Sequence, residues 1–299
     1  DAVKHIHRDF LRALRSRLRH EVELTGIPFY LVGETFTGDA GLIASYLGDD
    51  LIHGQFDFPL NQKVLEALAT RTIGLDDLDA AARDIKSTYA GGLMSNFIGN
   101  HDIARFASMA AGDIFCGPWD VISNIAQGWL YPPSAPSDDD AYGYLRLAFT
   151  YVMTIPGVPL IYYGDEFGMP GAGDPDNRRM MRFGGELSGS ESSTLTFMQR
   201  LGSARAAHPA LRTGSWEPPL VAEDDVLVYG RLGSGEVALV ALNRGDSTRS
   251  FELAVAGLGV TDGTIFEDAL AGSSATATVS NGLLTVSIPP LSAQIWVVE

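Results

Sequence analysis

Three times in this sequence a short apolar run without alternation ends in glycine and then in polar or acidic side chains. Phe29–Val32 leads into Gly33-Glu34, Leu93–Ile98 into Gly99-Asn100-His101-Asp102, and Val158–Tyr163 into Gly164-Asp165-Glu166. Gln55–Leu60 is a weaker copy. Apolar runs of this length that lack a period of two are the pattern of strands buried on both faces, as in parallel sheets. Helical stretches lie between them. His7–Leu24 carries Leu11, Leu14, Leu18 and Val22 on one stripe with Gly26 and Pro28 as its stop, and Val64–Leu68, Leu75–Ile85 and Tyr144–Met153, the last capped by Asp140, follow. Strand and helix therefore alternate to about residue 207. Polar groups repeated at the C-terminal ends of parallel strands mark the mouth of a (β/α)8 barrel, a feature shared by doubly wound open sheets. The barrel is the favoured reading, and four visible strands against the eight needed for closure predict its second half only.

The texture changes after Pro209. Pro218-Pro219 marks a junction, alternating strands such as Val226–Tyr229 and Glu236–Leu242 follow, Gly233-Ser234-Gly235 and Asn281-Gly282 supply hairpin turns, and Ala293–Val298 closes the series. The expectation is an α/β domain over residues 1–214, followed by an antiparallel β-sandwich over residues 215–299. The Ser/Gly-rich stretch Gly185–Ser193 reads as a flexible connector.

A formal charge of −16 sets any polyanion against a repulsive field, so neither nucleic acid nor an acidic membrane is the expected partner. No apolar run reaches the roughly 20 residues of a membrane span. The one cysteine, Cys116, excludes an internal disulfide framework and leaves the compartment open.

Asp1, Glu34 and Asp102 are strand-end acids that converge if the barrel reading holds, and converging carboxylates are what glycoside cleavage needs: one ionised, one protonated. The bland alternative is that each acid caps the helix after it. The surrounding motifs favour chemistry. D-A-V-K-H at Asp1–His5, V-G-E-T-F at Val32–Phe36 and N-F-I-G-N-H-D at Asn96–Asp102, in this order, resemble three blocks of glycoside hydrolase family 13, the α-amylase family. G-V-P-L-I-Y-Y-G-D-E-F-G-M-P at Gly157–Pro170, followed by G-D-P-D-N-R-R, resembles that family's eighth strand and loop, and H-P-A-L-R at His208–Arg212 its final barrel turn.

That resemblance implies that Asp1 is the nucleophile, Glu34 the general acid/base and Asp102 the acid that steadies the distorted sugar. It implies retention, with the Asp1 and Glu34 carboxyls about 5 to 5.5 Å apart. It places His101 on sugar hydroxyls, Lys4 and His5 on the leaving-group side, and Asp174 and Arg178 on the non-reducing side. It also implies that the His5 main-chain carbonyl can ligate a structural calcium whose other ligands lie outside this sequence; no organic cofactor is expected. Trp119, Trp129 and Tyr131, in the long segment between Ile103 and Asp139, are candidates to stack on a sugar ring or to pin that loop. The family's early block, and its arginine two residues before the nucleophile, are not in this sequence. The expected partners are therefore an α-glucan substrate and an N-terminal half of the same enzyme, covalently joined, nicked or separate. The expected activity is hydrolysis of α-1,4-glucosidic bonds in starch or maltooligosaccharides, with the chain alone inactive. Alternatives are a family-13 transglycosylase or isomerase, such as a trehalose-forming one, and a non-catalytic glucan-binding fragment. An extracellular or periplasmic location is the expectation that polymeric substrates carry.

Overall fold

The computed structural model describes residues 2–271 and 275–298. They fall into two compact units. The first runs from residue 2 to Lys63 and adds Ala80–Phe97 and Gly157–Leu160; the second comprises Val64–Asp79, Ile98–Pro156 and the chain from Ile161 onward.

The first unit contains four parallel strands of two residues each: β1 (Val32–Gly33), β2 (Gly54–Gln55), β3 (Ser95–Asn96) and β4 (Val158–Pro159). β1 pairs with β2, β3 pairs with β4, and a parallel bridge from Phe56 to Ser95 joins the two pairs, so the strands lie side by side in chain order. The inner strands are buried, as the apolar runs predict. The outer ones differ from the expectation of burial on both faces. Val32 is 39% exposed, with Phe29 and Tyr30 before it also exposed, and β4 is half-buried. Each outer strand has a paired strand on one side only among the described residues. Close packing explains two of the glycines: a Cβ at Gly54 would lie 1.9 Å from the Leu93 carbonyl oxygen, and one at Gly33 would lie 2.5 Å from Val3 Cγ2.

The helix Arg8–Glu21 lays Leu11 into a small core with Val3, Tyr46, Leu51 and Ile52. Its predicted extension to Leu24 is instead a 3-10 turn, Glu23–Thr25, stopped by Gly26 at φ 89°. Glu23 turns back to form a two-pronged ion pair with Arg15, at 2.6 and 3.0 Å.

In the second unit the helix Asp139–Thr154 is capped by Asp138, not by the predicted Asp140. The stretch predicted to be a connector is largely helix. Ser188 and Glu191 form a capping box that starts Gly189–Ala207, and the Glu191 carboxylate, nearly fully buried, is held by Arg182.

The C-terminal strands are β5 (Ser215–Ala222), β6 (Val226–Gly233), β7 (Glu236–Asn243), β8 (Arg249–Ala254), β9 (Ile265–Asp268), β10 (Thr276–Thr278), β11 (Leu283–Ile288) and β12 (Ser292–Val298). Six form an antiparallel sheet in the order β10-β9-β12-β7-β6-β5, and β8 and β11 pair separately. Val228, Leu239 and Trp296 from the larger sheet meet Leu253, Leu284 and Val286 from the smaller one in a single core. Both predicted hairpin turns form, with Ser234-Gly235 and Asn281-Gly282 at positive φ. Pro218-Pro219 is not a junction but part of edge strand β5, where it coincides with breaks in register. The change from helix to strand falls at Gly214–Ser215, and both sides belong to the second unit. There the fully buried Arg231 of β6 donates to the carbonyls of Thr154, Gly214 and Ser215. It satisfies oxygens at two helix ends, those of Thr154 and Gly214, and one at the start of β5.

Candidate active site

In the first unit, Glu34 follows β1 directly. It is 6% exposed, and its Oε1 is buried without a hydrogen-bond partner among the described residues. A carboxyl oxygen in that position without a protein partner carries a desolvation cost and calls for an explanation, catalytic use among them. Asp1 lies outside the described residues. The chain immediately after it runs beside Glu34: the Val3 amide donates to the Glu34 carbonyl at 2.7 Å, and Lys4 Nζ donates to the Phe36 carbonyl at 2.9 Å. Tyr46 OH donates to the Lys4 carbonyl at 3.1 Å and fixes this short 3-10 turn, Val3–His5, at whose end His5 stands exposed.

In the second unit four predicted residues come together. Asn100 Oδ1 accepts from the amides of Asp102 and Ile103, at 2.9 and 3.2 Å, and folds the turn that carries His101 and Asp102. His101 Nε2 lies 3.3 Å from Asp102 Oδ1. Arg178 stands between two acids, with Nη2 3.0 Å from Asp174 Oδ2 and 3.6 Å from Asp102 Oδ1, and its Nε donates to the His101 carbonyl at 3.1 Å. These side chains are between about a third and a half exposed, open to a ligand. Arg178 is thus not confined to a local pair with Asp174; it links the 174–178 loop to the Asp102 turn.

Beneath that turn is a layer that the motif reading did not single out. Arg105 is buried and pairs with Asp165 at 2.8 Å, donates to the carbonyls of Tyr163 and Asn177, and lies under the Tyr162 ring with its guanidinium carbon 4.1 Å from the ring centroid. Burial pushes the Asp165 carboxyl up to about 6, against the opposing pull of Arg105. Gly99 makes room for it, since a Cβ there would lie 2.3 Å from Asp165 Oδ2. Of these residues only Arg105 carried a local signal, as a charged side chain inside the otherwise apolar run Ile103–Ala107; Asp165 and Asn177 lie in polar stretches that give no sign of their burial.

Among the loop aromatics, Trp129 and Tyr131 are 71% and 66% exposed. Phe115 lies 6.3 Å from Tyr131, ring to ring. As for calcium, the His5 carbonyl is a single donor where that ion takes six to eight oxygens. Among the described residues no three His, Cys, Asp or Glu side chains gather into a metal site. No described helix is long and apolar enough to cross a membrane.

Comparison with known proteins shows what the chain is similar to. Residues 219–297 match the family described as neopullulanase-like, C-terminal domain. The chain is 24% identical over 303 residues to a β/α-amylase of Paenibacillus polymyxa, a match covering 99% of this chain and 21% of that protein. It is 28% identical over 277 residues to a cyclomaltodextrin glucanotransferase of Paenibacillus macerans, covering 91% and 33%. The α-amylase of Geobacillus thermoleovorans, solved with acarbose, shares the fold at a TM-score of 0.80 and 24% identity, over 100% of this chain and 59% of that one. The chain thus spans about a fifth to a third of the length of these two curated relatives. The expected resemblance holds, and the chain is a relative of the α-amylase family, glycoside hydrolase family 13.

Proposed function

We propose that this chain carries the catalytic acids of a retaining enzyme that cleaves α-1,4-glucosidic bonds in starch or maltooligosaccharides. Its strands β1 to β4 would form half of a (β/α)8 barrel. The observation that carries the reading is Glu34: a strand-end carboxyl, buried, with one oxygen unpartnered and the segment following Asp1 hydrogen-bonded alongside. In this reading Glu34 protonates the departing glycosidic oxygen while the Asp1 carboxylate attacks the anomeric carbon. Glu34 then takes a proton from the water that releases the sugar with its configuration retained. Asp102 steadies the positive charge that develops on the ring, and His101, Asp174 and Arg178 hold sugar hydroxyls beside it. Lys4 and His5 flank the leaving-group side.

The outer strands β1 and β4, each paired on one side only among the described residues, fit a second barrel half supplied by polypeptide outside this chain, since closing a barrel from strands of this kind takes eight. A calcium held through the His5 carbonyl would draw its remaining ligands from there as well. Secretion to a compartment that holds polymeric glucan fits such a substrate. The glucanotransferase relative supports a second reading, in which an acceptor sugar replaces water on the same acids; the alternative outcomes are then transfer or isomerisation.

The test joins this chain to an upstream barrel half and compares it with Glu34→Gln on starch and maltooligosaccharides. The substitution is expected to lower turnover by about 10²- to 10⁴-fold, as loss of a general acid/base does. Undiminished activity in Glu34→Gln would remove Glu34 from the chemistry.

A further inference from the structure

Asn177 is fully buried, one residue before Arg178 in a short 3-10 turn, Asp176–Arg178. Its side-chain amide directs both hydrogens at the turn that carries Asp102: Nδ2 donates to the His101 carbonyl and to the Ile103 carbonyl, each at 2.9 Å. The two carbonyls belong to the residues immediately before and after Asp102. One planar, fully buried group therefore spans the backbone on both sides of that acid. From the other side Arg105 Nε donates to the Asn177 carbonyl at 2.8 Å, and Arg105 is itself held by Asp165. The His101 carbonyl also receives Arg178 Nε, so the same turn is gripped from two adjacent residues of one loop.

We infer that Asn177 is a positioning residue, whose buried amide sets the direction of the Asp102 carboxylate by clamping the main chain on either side of it. The inference rests on the reading of Asp102 as the acid that steadies charge on the cleaved sugar. The physical reason is the steepness of that role. A carboxylate stabilises a developing charge only if it is aimed before the reaction begins, and a misplacement of about 1 Å can cost about 100-fold in rate. Asp102 is about a third exposed, and the contact that Arg178 makes to it is 3.6 Å long. With the 3.3 Å approach of His101 Nε2, itself half exposed, both side-chain contacts fall on the one oxygen Oδ1 and are long, so the clamped backbone is the firmer source of direction. No other side-chain type supplies two donors in one plane at this reach without a charge: a serine offers one, and an aspartate would set its oxygens against the two carbonyls.

The test uses this chain joined to an upstream barrel half, with α-maltosyl fluoride and a maltooligosaccharide as substrates, and reads the single-turnover rate constant with enzyme in excess. That constant does not change with the fraction of molecules folded, so a merely structural role would not move it. Asn177→Ala is expected to lower it about 10- to 100-fold on both substrates, with half-saturation shifting far less. Asp102→Asn should share that insensitivity to the leaving group, whereas Glu34→Gln should lose much more on the oligosaccharide than on the fluoride, whose departure needs little protonation. Asn177→Ser, which keeps one donor, is expected between the native protein and Asn177→Ala, and it serves as the readout if the Ala variant does not fold. A rate constant within twofold of native in the variant that folds, a loss confined to the oligosaccharide, or failure of both variants to fold overturns the positioning role. Full activity in Asp102→Asn or Glu34→Gln would instead sink the underlying assignment of the acids and is seen separately.

Discussion

A buried ion pair of a cation and an acid whose carboxyl is pushed up to about 6 makes a definite prediction at the level of the single residue. Asp165 in the folded chain holds its proton more tightly than at its ordinary value of 3.8, because burial outweighs the pull of Arg105. Between about pH 4 and pH 6 the native state therefore binds more protons at this group than the unfolded state does. Its contribution to stability is present below that window and is lost as pH rises through it. Asp165→Asn removes the contribution, so the unfolding free energy should climb more steeply with pH in the variant, by up to about 1.4 kcal/mol per pH unit. Urea titrations at intervals from pH 4 to pH 6 measure the two slopes, and coincident slopes would contradict the assignment. Deleting the carboxyl with Asp165→Ala is expected to cost about 3 to 5 kcal/mol, because it strands the buried Arg105. This layer was hard to read in the sequence for a physical reason. Asp102, His101, Asp174 and Arg178 stand in recognisable motifs; Asp165 and Asn177 stand in them too, but with Arg105 they work through partners up to 76 positions away, and no local pattern encodes that distance.

At the scale of elements, the capping box at Ser188 shows why composition misled and a spacing would have served. A tract rich in serine and glycine reads as a loop, yet Ser188 and Glu191 stand three apart, and each satisfies an amide that the helix start leaves open. Ser188→Ala should cost about 1 kcal/mol, within the usual 0.5 to 2 for a lost N-cap, read as a shift in urea midpoint at unchanged slope. An effect below about 0.3 kcal/mol would mean that Arg182 and the burial of Glu191 start the helix without the cap. The strands tell a complementary story. The runs ending at Glu34, Asp102 and Asp165 were visible from apolarity alone, but each paired strand is only two residues long, and the outer ones are exposed. Periodicity reports what a run is suited to lie against, not whether the neighbour is present. The hairpin turns were legible because positive φ demands a narrow set of residues, and Asn281-Gly282 and Ser234-Gly235 belong to it.

At the scale of the molecule, a formal charge of −16 and a cluster in which Arg178 is shared by two carboxylates suit a ligand that brings hydroxyls and no charge. The half-saturating concentration of a maltooligosaccharide should therefore change less than about twofold between low salt and about 0.5 M NaCl, where screening removes long-range fields. A change of tenfold would point to a charged ligand. The outer strands β1 and β4, each paired on one side only among the described residues, fit the proposal that a second barrel half completes the site. The most direct measurement of the central claim follows the anomeric configuration of the first product by proton NMR, with this chain joined to an upstream barrel half and cleaving a maltooligosaccharide. The account predicts that the α-anomer forms first and mutarotates afterwards, and that Glu34→Gln gives no burst of it. The β-anomer appearing first, or the same burst from Glu34→Gln, would contradict it.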